Sequence, residues 1–194
     1  MTQKPKKEKL IDYILHLKNW ISKEITKTTI KEIFKKKWEP HYHVNTLTLK
    51  KVIRKKELDV YWSDDSLTYH TELHNLVWKA LEKYILKEHN KRYHSNWAGF
   101  SRIKFNRYGK NQIMTKHIDH IKSLFDGERK GIPVLSIIGA LNNNYTGGEL
   151  IFFDNYQIKL KEGDILLFPS NFLYPHLVKP VTKGERYSFI SWSW

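Results

Sequence analysis

The hydrophobic periodicity of the chain changes near residue 90, and this change limits the folds that it can adopt. Apolar residues repeat at helical spacing across 67–89, which predicts an amphipathic helix. A second helix is predicted across 22–38, and 10–20 is predicted to be a short helix or the lead-in to one. After residue 90, apolar and polar residues alternate between turn sequences, which predicts short strands. The predicted strands span 100–108, 113–119, 133–141, 149–153, 156–160, 165–168 and 186–192, and a further strand is predicted at 46–49.

Helices followed by many short strands favour an α+β fold. We expect a double-stranded β-helix (jelly roll) with the N-terminal helices packed on one sheet. The 194 residues suffice for a single domain. Within it, we expect residues 1–95 to supply mainly helical support and a loop, and residues 96–194 to form the jelly-roll core.

The composition limits the classes of binding partner and the cellular compartment that we expect for this chain. The chain contains no cysteine, which excludes disulfides, thiolate zinc sites and cysteine nucleophiles. Its net charge of +14, greatest in the first 60 residues, would attract nucleic acid or an acidic protein, although a solvated lysine surface is the plainer interpretation. No apolar run is long enough to span a bilayer and no secretory signal is evident, so we expect a cytoplasmic protein without a membrane partner.

A short polar motif, His117-Ile-Asp119, carries the first functional signal. On a strand, alternate side chains share a face, so the imidazole and the carboxylate would converge. A third ligand must come from elsewhere, and His176 is the best candidate. Two histidines and one carboxylate leave open positions on iron(II), as in non-haem oxygenases. The alternative is that His117 is an ordinary core histidine.

A basic residue follows ten positions after His176. Strand alternation puts Arg186, Ser188 and Trp192 on one face. A guanidinium matches a carboxylate with two parallel hydrogen bonds, and a serine hydroxyl can add another donor. This pair would suit the distal carboxylate of 2-oxoglutarate, although Arg186 could equally pair with a surface acid. Tyr108 could donate its phenol to the same cosubstrate, or be an ordinary strand tyrosine.

These residues belong to a longer pattern. From Phe105 to Trp194 the chain resembles the prolyl 4-hydroxylase-like 2-oxoglutarate/Fe(II) dioxygenases, which include phage-encoded members. The matching motifs are Asn106-Arg-Tyr108, His117-Ile-Asp119, Leu141-Asn142, Tyr145-Thr-Gly-Gly-Glu-Leu150, Gly163-Asp164, Phe168-Pro-Ser170, His176, Pro180-Val181 and Gly184-Glu-Arg-Tyr-Ser188.

The resemblance implies a role for each residue. His117, Asp119 and His176 would bind iron(II), and Arg186 would pair with the C5 carboxylate of 2-oxoglutarate, supported by Ser188. Two further roles are implied: cosubstrate contact for Tyr108, and a substrate pocket lined by Trp192 and Asn106.

The implied reaction uses iron(II), 2-oxoglutarate and O2, with ascorbate as an additional reductant. It decarboxylates 2-oxoglutarate to succinate and CO2 and hydroxylates an unactivated C–H bond. The resemblance favours peptidyl proline, and hence a protein or peptide substrate. It also suggests a phage-encoded protein in the host cytoplasm. We further expect the basic segment 50–56 to border the substrate entrance.

One departure from the family pattern concerns the cosubstrate. Many prolyl hydroxylases have a tyrosine two residues before the asparagine that corresponds to Asn142. This chain has Ala140 there. We expect Ser136 or a water molecule to replace the phenol.

Three other interpretations remain open. An AlkB-like nucleic-acid demethylase would share the three ligands, but that branch has a second arginine where this chain has Trp192. A zinc hydrolase could use His70 and His74, but the residue after the first histidine is Thr71 rather than glutamate. A jelly-roll binding module without catalysis is the third, and succinate production would separate it from an enzyme.

Overall fold

The computed structural model describes residues 8–44, 48, 50–54, 56–88, 99–119 and 133–194. Its two α-helices in these ranges are α1 (Lys23–Ile33) and α2 (His70–Glu82); a 3-10 helix spans Leu10–Tyr13, and a π-helical turn, Lys83–Glu88, continues α2. The strands are β1 (Leu15–Leu17), β2 (Glu39–Pro40), β3 (Tyr42–Val44), β4 (Lys51–Ile53), β5 (Asp59–Trp62), β6 (Lys104–Tyr108), β7 (Met114–His117), β8 (Leu135–Ala140), β9 (Thr146–Gly147), β10 (Leu150–Phe152), β11 (Tyr156–Ile158), β12 (Ile165–Pro169), β13 (His176–Val178), β14 (Val181–Lys183) and β15 (Arg186–Ser193).

Both strongly periodic helices form as predicted. Ser22 caps α1, where its hydroxyl accepts a hydrogen bond from the Ile25 amide at 3.3 Å. The prediction for 10–20 is wrong after its first turn, because residues 15–17 form β1. This strand pairs antiparallel with β12 and buries Leu17. Tertiary pairing at a sheet edge therefore outweighs the local helical pattern.

Across the described residues, the strands form two main antiparallel sheets. The larger sheet has seven strands in the order β1-β12-β8-β15-β6-β5-β2, and the smaller has four in the order β11-β10-β13-β7. Two-stranded ribbons, β14-β9 and β3-β4, lie beside them. Because β1, β2 and β5 join the larger sheet, the first half of the chain supplies strands as well as helices and loops.

The large sheet separates two apolar clusters, and strand alternation decides which residue enters which. On β12, Ile165 and Leu167 pack with the helices, whereas Leu166 and Phe168 pack between the sheets. Burying one such side chain stabilises the fold by roughly 1.5–3 kcal/mol. The molecule is thus layered as helices, large sheet and small sheet, and the predicted α+β class built mainly of antiparallel sheets is confirmed.

Each strand predicted after residue 90 forms within a few residues of its expected bounds. Eight short strands among the described residues were not predicted, namely β1, β2, β3, β4, β5, β9, β13 and β14. The strand predicted at 46–49 lies outside the described residues except for Thr48. None of the described helices has the length and apolar character required to span a membrane.

Candidate metal centre and cosubstrate pocket

The small sheet brings the three predicted ligands together. β7 and β13 pair antiparallel, with His117 directly opposite His176. The Nε2 atoms of His117 and His176 lie 3.2 and 3.9 Å from Oδ1 of Asp119. Across the set, one ligand atom from each residue lies within 4.8 Å of the others. We call His117, Asp119 and His176 the candidate triad.

Backbone carbonyls orient both imidazoles of the candidate triad. Nδ1 of His117 lies 2.8 Å from the Thr115 carbonyl oxygen, and Nδ1 of His176 lies 3.1 Å from that of Tyr174. A carbonyl only accepts, so each Nδ1 carries the proton and each Nε2 keeps its lone pair. This is how proteins commonly prepare histidine to bind a metal.

The carboxylate of the candidate triad is buried and held by a serine. Ser136 donates to Asp119 Oδ2 at 2.6 Å, and its oxygen lies 2.8 Å from that of Ser170. Burial alone would raise the pKa of Asp119. The two imidazoles and the Ser136 hydroxyl outweigh it and hold this pKa well below its usual range. Asp119 is therefore an ionised carboxylate whose second oxygen is held by Ser136.

Ser136 does not take the place of the missing family tyrosine. It lies four residues from Ala140 on β8, about 13 Å along the strand. Its hydroxyl is engaged with Asp119 and Ser170. The expectation that Ser136 compensates for Ala140 is therefore wrong, because the hydroxyl is bound to Asp119 and Ser170 instead.

Arg186 lies buried between the sheets, on the face shared with Tyr108. Its side chain is 2% exposed, Nη1 donates to Ser188 Oγ at 2.9 Å, and Cζ lies 4.8 Å from the centre of the Tyr108 ring. Among the described residues, no carboxylate pairs with it. A buried guanidinium without an acid is costly, so this pocket is suited to an anionic ligand.

Tyr108 is placed to donate a hydrogen bond into the same pocket. Burial raises the pKa of its phenol, and the positive charge of Arg186 opposes that rise. The phenol is therefore protonated at neutral pH. Tyr108 stands opposite Arg186 in the pairing of β6 with β15, so both predicted cosubstrate contacts reach one place.

Two residues that the sequence presented only as motif members hold Arg186 in position. The Asn142 amide accepts from the Tyr187 backbone N–H and donates to the Glu185 carbonyl, each at 2.8 Å. It thus fixes both neighbours of Arg186. Gly148 has φ +68°, and a Cβ there would lie 2.9 Å from Cδ of Arg186, so only glycine leaves room for the guanidinium's stem.

The two residues predicted to line the substrate pocket face the same inter-sheet space. Trp192 lies opposite Ser136 in the pairing of β15 with β8, and Asn106 lies opposite Ser188 in the pairing of β15 with β6. Both are buried. Among the described atoms, Asn106 Oδ1 and Trp192 Nε1 have no hydrogen-bond partner, which leaves polar groups for a ligand to satisfy.

The basic segment 50–56 runs beside the strand that carries His117. Arg54 Nη1 donates to Thr115 Oγ1 at 3.0 Å, and the Lys56 carbonyl accepts from the Ile113 backbone N–H at 2.9 Å. Its described residues therefore approach the β7 edge, two residues before the first ligand. That the segment borders the substrate entrance stays a prediction of the sequence.

A second cluster of two histidines and a carboxylate was not predicted from the sequence. The Glu57 cluster consists of His41, His43 and Glu57, with Glu57 Oε2 lying 3.1 Å from His41 Nδ1 and 2.7 Å from His43 Nε2. Glu57 Oε1 accepts from Thr115 Oγ1 at 2.7 Å. The alternation of His41 and His43 on an extended segment was a readable signal, but their acidic partner is distant in sequence.

The described structure does not support the zinc hydrolase interpretation that uses His70 and His74. The rings of His70 and His74 meet edge to face, with centroids 4.2 Å apart. Asp65, whose side chain is 98% exposed, lies 3.5 Å from His70 Nε2. In the described part of the chain, no third ligand completes a site with these two histidines.

Residues 103–194 match the family described as the 2OG-Fe(II) oxygenase superfamily. This C-terminal part of the chain is thus similar to the 2OG-Fe(II) oxygenases. The match contains every predicted ligand and cosubstrate residue. This similarity supports the prediction of a dioxygenase enzyme and disfavours a binding module without catalysis.

Curated relatives of this segment are hydroxylases. A PKHD-type hydroxylase of Idiomarina loihiensis is 37% identical over 95 residues, which are 47% of this chain and 41% of that protein. A PKHD-type hydroxylase of Shewanella oneidensis is 42% identical over 93 residues, 45% of this chain and 40% of that protein. The chain thus spans about two fifths of the length of these relatives.

Solved prolyl hydroxylases share the fold over nearly the whole chain. The viral collagen prolyl hydroxylase of Paramecium bursaria Chlorella virus-1 aligns with TM-score 0.68 and 17% identity, over 93% of this chain and 94% of that one. A Trichoplax adhaerens prolyl hydroxylase, solved with a hypoxia-inducible-factor peptide fragment, aligns with TM-score 0.72 and 17% identity, over 94% and 84%. At these identities the likeness concerns the fold.

Proposed function

We propose that this chain is an Fe(II)- and 2-oxoglutarate-dependent hydroxylase that oxidises an unactivated C–H bond, with peptidyl proline as its substrate and succinate and CO2 as the other products. One observation carries the proposal. The candidate triad converges beside the inter-sheet space in which a buried Arg186 has no acidic partner among the described residues. A metal site and a carboxylate site in one cavity are what this reaction requires.

The candidate triad fits iron(II) by the chemistry of its donors. His117 and His176 would each offer Nε2, and Asp119 would offer Oδ1, leaving other coordination positions for cosubstrate and O2. Bound there, iron(II) supplies the dioxygen chemistry that no amino-acid side chain provides. The chain's own task is to hold these ligands, through two backbone carbonyls and the Ser136 hydroxyl.

Arg186 would bind the C5 carboxylate of 2-oxoglutarate, because its guanidinium is fixed, buried and unpaired with any described acid. Ser188 accepts from that guanidinium, which leaves the serine's own proton for the ligand. The protonated phenol of Tyr108 would donate to the same molecule. The depth of the pocket excludes water, which strengthens each of these charged contacts.

A peptide substrate is supported by the surface beside the candidate triad. Ile118, Val134, Phe172 and Leu173 are apolar yet exposed, and they adjoin the ligands or their supporting serines in the chain. Exposed apolar groups of this kind commonly mark a binding surface. The Trichoplax neighbour was solved with a peptide fragment. The comparisons give no support to nucleic acid as the substrate.

We further infer that residues 1–194 form one domain in which the two sheets are the halves of a double-stranded β-helix. The pairing of N-terminal β1 with β12 and of N-terminal β5 with β6 supports this. A cytoplasmic location and a phage origin stay predictions of the sequence.

The test is product formation. Purified protein with iron(II), 2-oxoglutarate and ascorbate is incubated with proline-containing peptides, and succinate and +16 Da peptide products are quantified together. Equal yields of both are expected from peptides that are substrates. Absence of succinate with every substrate tested, including peptides, free amino acids and oligonucleotides, would overturn the proposal. A +16 Da change on residues other than proline would retain the hydroxylase and reject its substrate.

A further inference from the structure

One charged residue in the inter-sheet space has no part in the proposed reaction. Lys104 begins β6 and shares its face with Asn106 and Tyr108. It is partly buried, and its Nζ lies 4.7 Å from the centre of the Trp192 ring and 5.8 Å from that of Trp62. The ammonium group thus lies between two indole rings, at the end of the large sheet opposite to Arg186.

Within the described ranges, this ammonium group forms no ion pair and no hydrogen bond. Burial lowers the pKa of Lys104 to about 8, and the negative charge of Asp119 opposes that change. The side chain therefore remains largely cationic at pH 7. Contact with indole rings recovers part of the lost hydration, roughly 0.5–2 kcal/mol. The indole rings offer no hydrogen-bond acceptor for the three N–H donors of the ammonium group.

The polar atoms around Lys104 also lack partners. Trp192 Nε1 and Asn106 Oδ1 are buried and without a hydrogen-bond partner among the described atoms. Trp192 stands opposite Ser136, whose hydroxyl holds Asp119. The recess formed by Lys104, Trp62, Trp192 and Asn106 therefore adjoins the metal side of the cavity, where a substrate would present its C–H bond.

We propose that Lys104 and the Trp192 N–H bind a carboxylate carried by the substrate. This rests on the proposed hydroxylase function and narrows its substrate to a peptide with an aspartate or glutamate beside the hydroxylated residue. The carboxylate would accept from both donors, while Trp62 and Trp192 enclose the adjacent methylene groups. The chain's net charge of +14 and the basic segment beside β7 favour an acidic peptide.

A free amino acid would offer the same carboxylate chemistry, so the experiment separates the two sources. Proline-containing peptide pools carry glutamate or glutamine at the positions that flank proline and are otherwise identical. Their binding is measured by fluorescence anisotropy without oxygen, with iron(II) and 2-oxoglutarate present. Wild type is expected to prefer the glutamate pool by roughly 10-fold, the effect of one charge-assisted contact. Free proline, aspartate and glutamate are added as competitors.

Lys104→Met keeps most of the stem and removes the charge, and it should abolish this preference. Lys104→Arg should restore part of it. Lys159, an exposed lysine that follows β11, gives the control Lys159→Met, which should keep the wild-type preference. Thermal unfolding of each variant verifies the fold, and Lys104→Gln serves as the second neutral variant if Lys104→Met is destabilised.

The outcomes separate this proposal from the function on which it rests. A glutamate preference that depends on Lys104, without any hydroxylated product, supports the carboxylate site and overturns the hydroxylase. Complete displacement of the glutamate pool by free aspartate or glutamate keeps the carboxylate site and rejects the peptide as its specific ligand. Equal binding of both pools by wild type, or a preference that survives in the neutral Lys104 variants, overturns the proposal.

Discussion

The candidate triad and the Glu57 cluster both combine two imidazoles and one carboxylate within 4.8 Å, yet their hydrogen bonds differ. In the candidate triad, backbone carbonyls accept hydrogen bonds from both Nδ1–H groups, so both Nε2 lone pairs face the carboxylate. In the Glu57 cluster, ring nitrogens and the Thr115 hydroxyl bind the carboxylate directly, and Arg54 lies 3.6 Å from it. The neighbours of such a cluster, rather than its residue types, decide whether it suits a metal.

The largest effect is expected from removing the carboxylate of the candidate triad. Asp119→Ala should lose iron-dependent turnover of 2-oxoglutarate entirely, because the two remaining imidazoles no longer complete the ligand set. Succinate formation and bound iron per chain are measured together. Glu57→Gln, the matched change in the Glu57 cluster, should keep one iron per chain and most of the turnover. If both variants lose iron equally, the distinction between the clusters is wrong.

The second effect concerns Arg186, the buried cation that we propose binds 2-oxoglutarate beside the candidate triad. Arg186→Leu should weaken 2-oxoglutarate binding by about 2–3 kcal/mol, roughly 30- to 150-fold, because a charge-assisted contact is lost. Binding is measured by titrating 2-oxoglutarate into the iron-loaded protein under argon. Iron affinity should change far less, and Arg186→Lys should recover part of the binding. An unchanged 2-oxoglutarate affinity in Arg186→Leu would contradict the assignment.

The third effect belongs to the Glu57 cluster and is a dependence of stability on pH. Burial lowers the pKa of His41 from 6.5 to about 4, the charge of Lys104 adds to this, and the hydrogen bond to Glu57 opposes it. Between these pH values the unfolded chain binds more protons than the folded one, so stability falls as pH falls.

Urea unfolding of metal-free protein at pH 6.5 and pH 4 tests this. Wild type should lose about 2 kcal/mol more than His41→Gln across that window. The glutamine retains a donor for Glu57 while removing the titration. Equal losses in both proteins would show that His41 does not control this dependence.

The smallest effect tests the serine that aims the carboxylate of the candidate triad. Ser136→Ala should reduce iron affinity by about 10-fold, the lower end for a residue that orients a ligand. Competition with a fluorescent chelator measures this. Thr26→Val is the matched control, since it also removes a buried hydroxyl that donates to a carboxylate, that of Glu162, but on α1. Similar losses in both variants would reduce Ser136 to a general stabilising role.

The sequence predicted the candidate triad because its geometry is mostly local. His117 and Asp119 are two residues apart, so an extended backbone that continues past the end of β7 brings them together, and His176 follows from the order of the family motifs. The face shared by Arg186, Ser188 and Trp192 was predictable for the same reason. Long segments with a strong hydrophobic period, such as α2, could be predicted equally well.

The remaining features depend on pairings between distant residues. Glu57 lies in a charged stretch, and nothing local indicates that it is buried against two histidines. Ser136 contacts Asp119 across the cavity, and Lys104 gains its indole neighbours from β5 and β15. The short strands β9, β13 and β14 are too brief for a period to show, and β1 forms because β12 offers it an edge.

The close approach of Gly148 to Arg186 allows a prediction about homologous chains. A Cβ at this position would clash with the side chain of Arg186. The position of the guanidinium therefore depends on the absence of a side chain at residue 148. A homologue that carries a side chain there could retain all three residues of the candidate triad and still be unable to hold Arg186 in this position. If Arg186 binds the cosubstrate as proposed, the second glycine of Gly147-Gly148 separates homologues that can bind it from those that cannot.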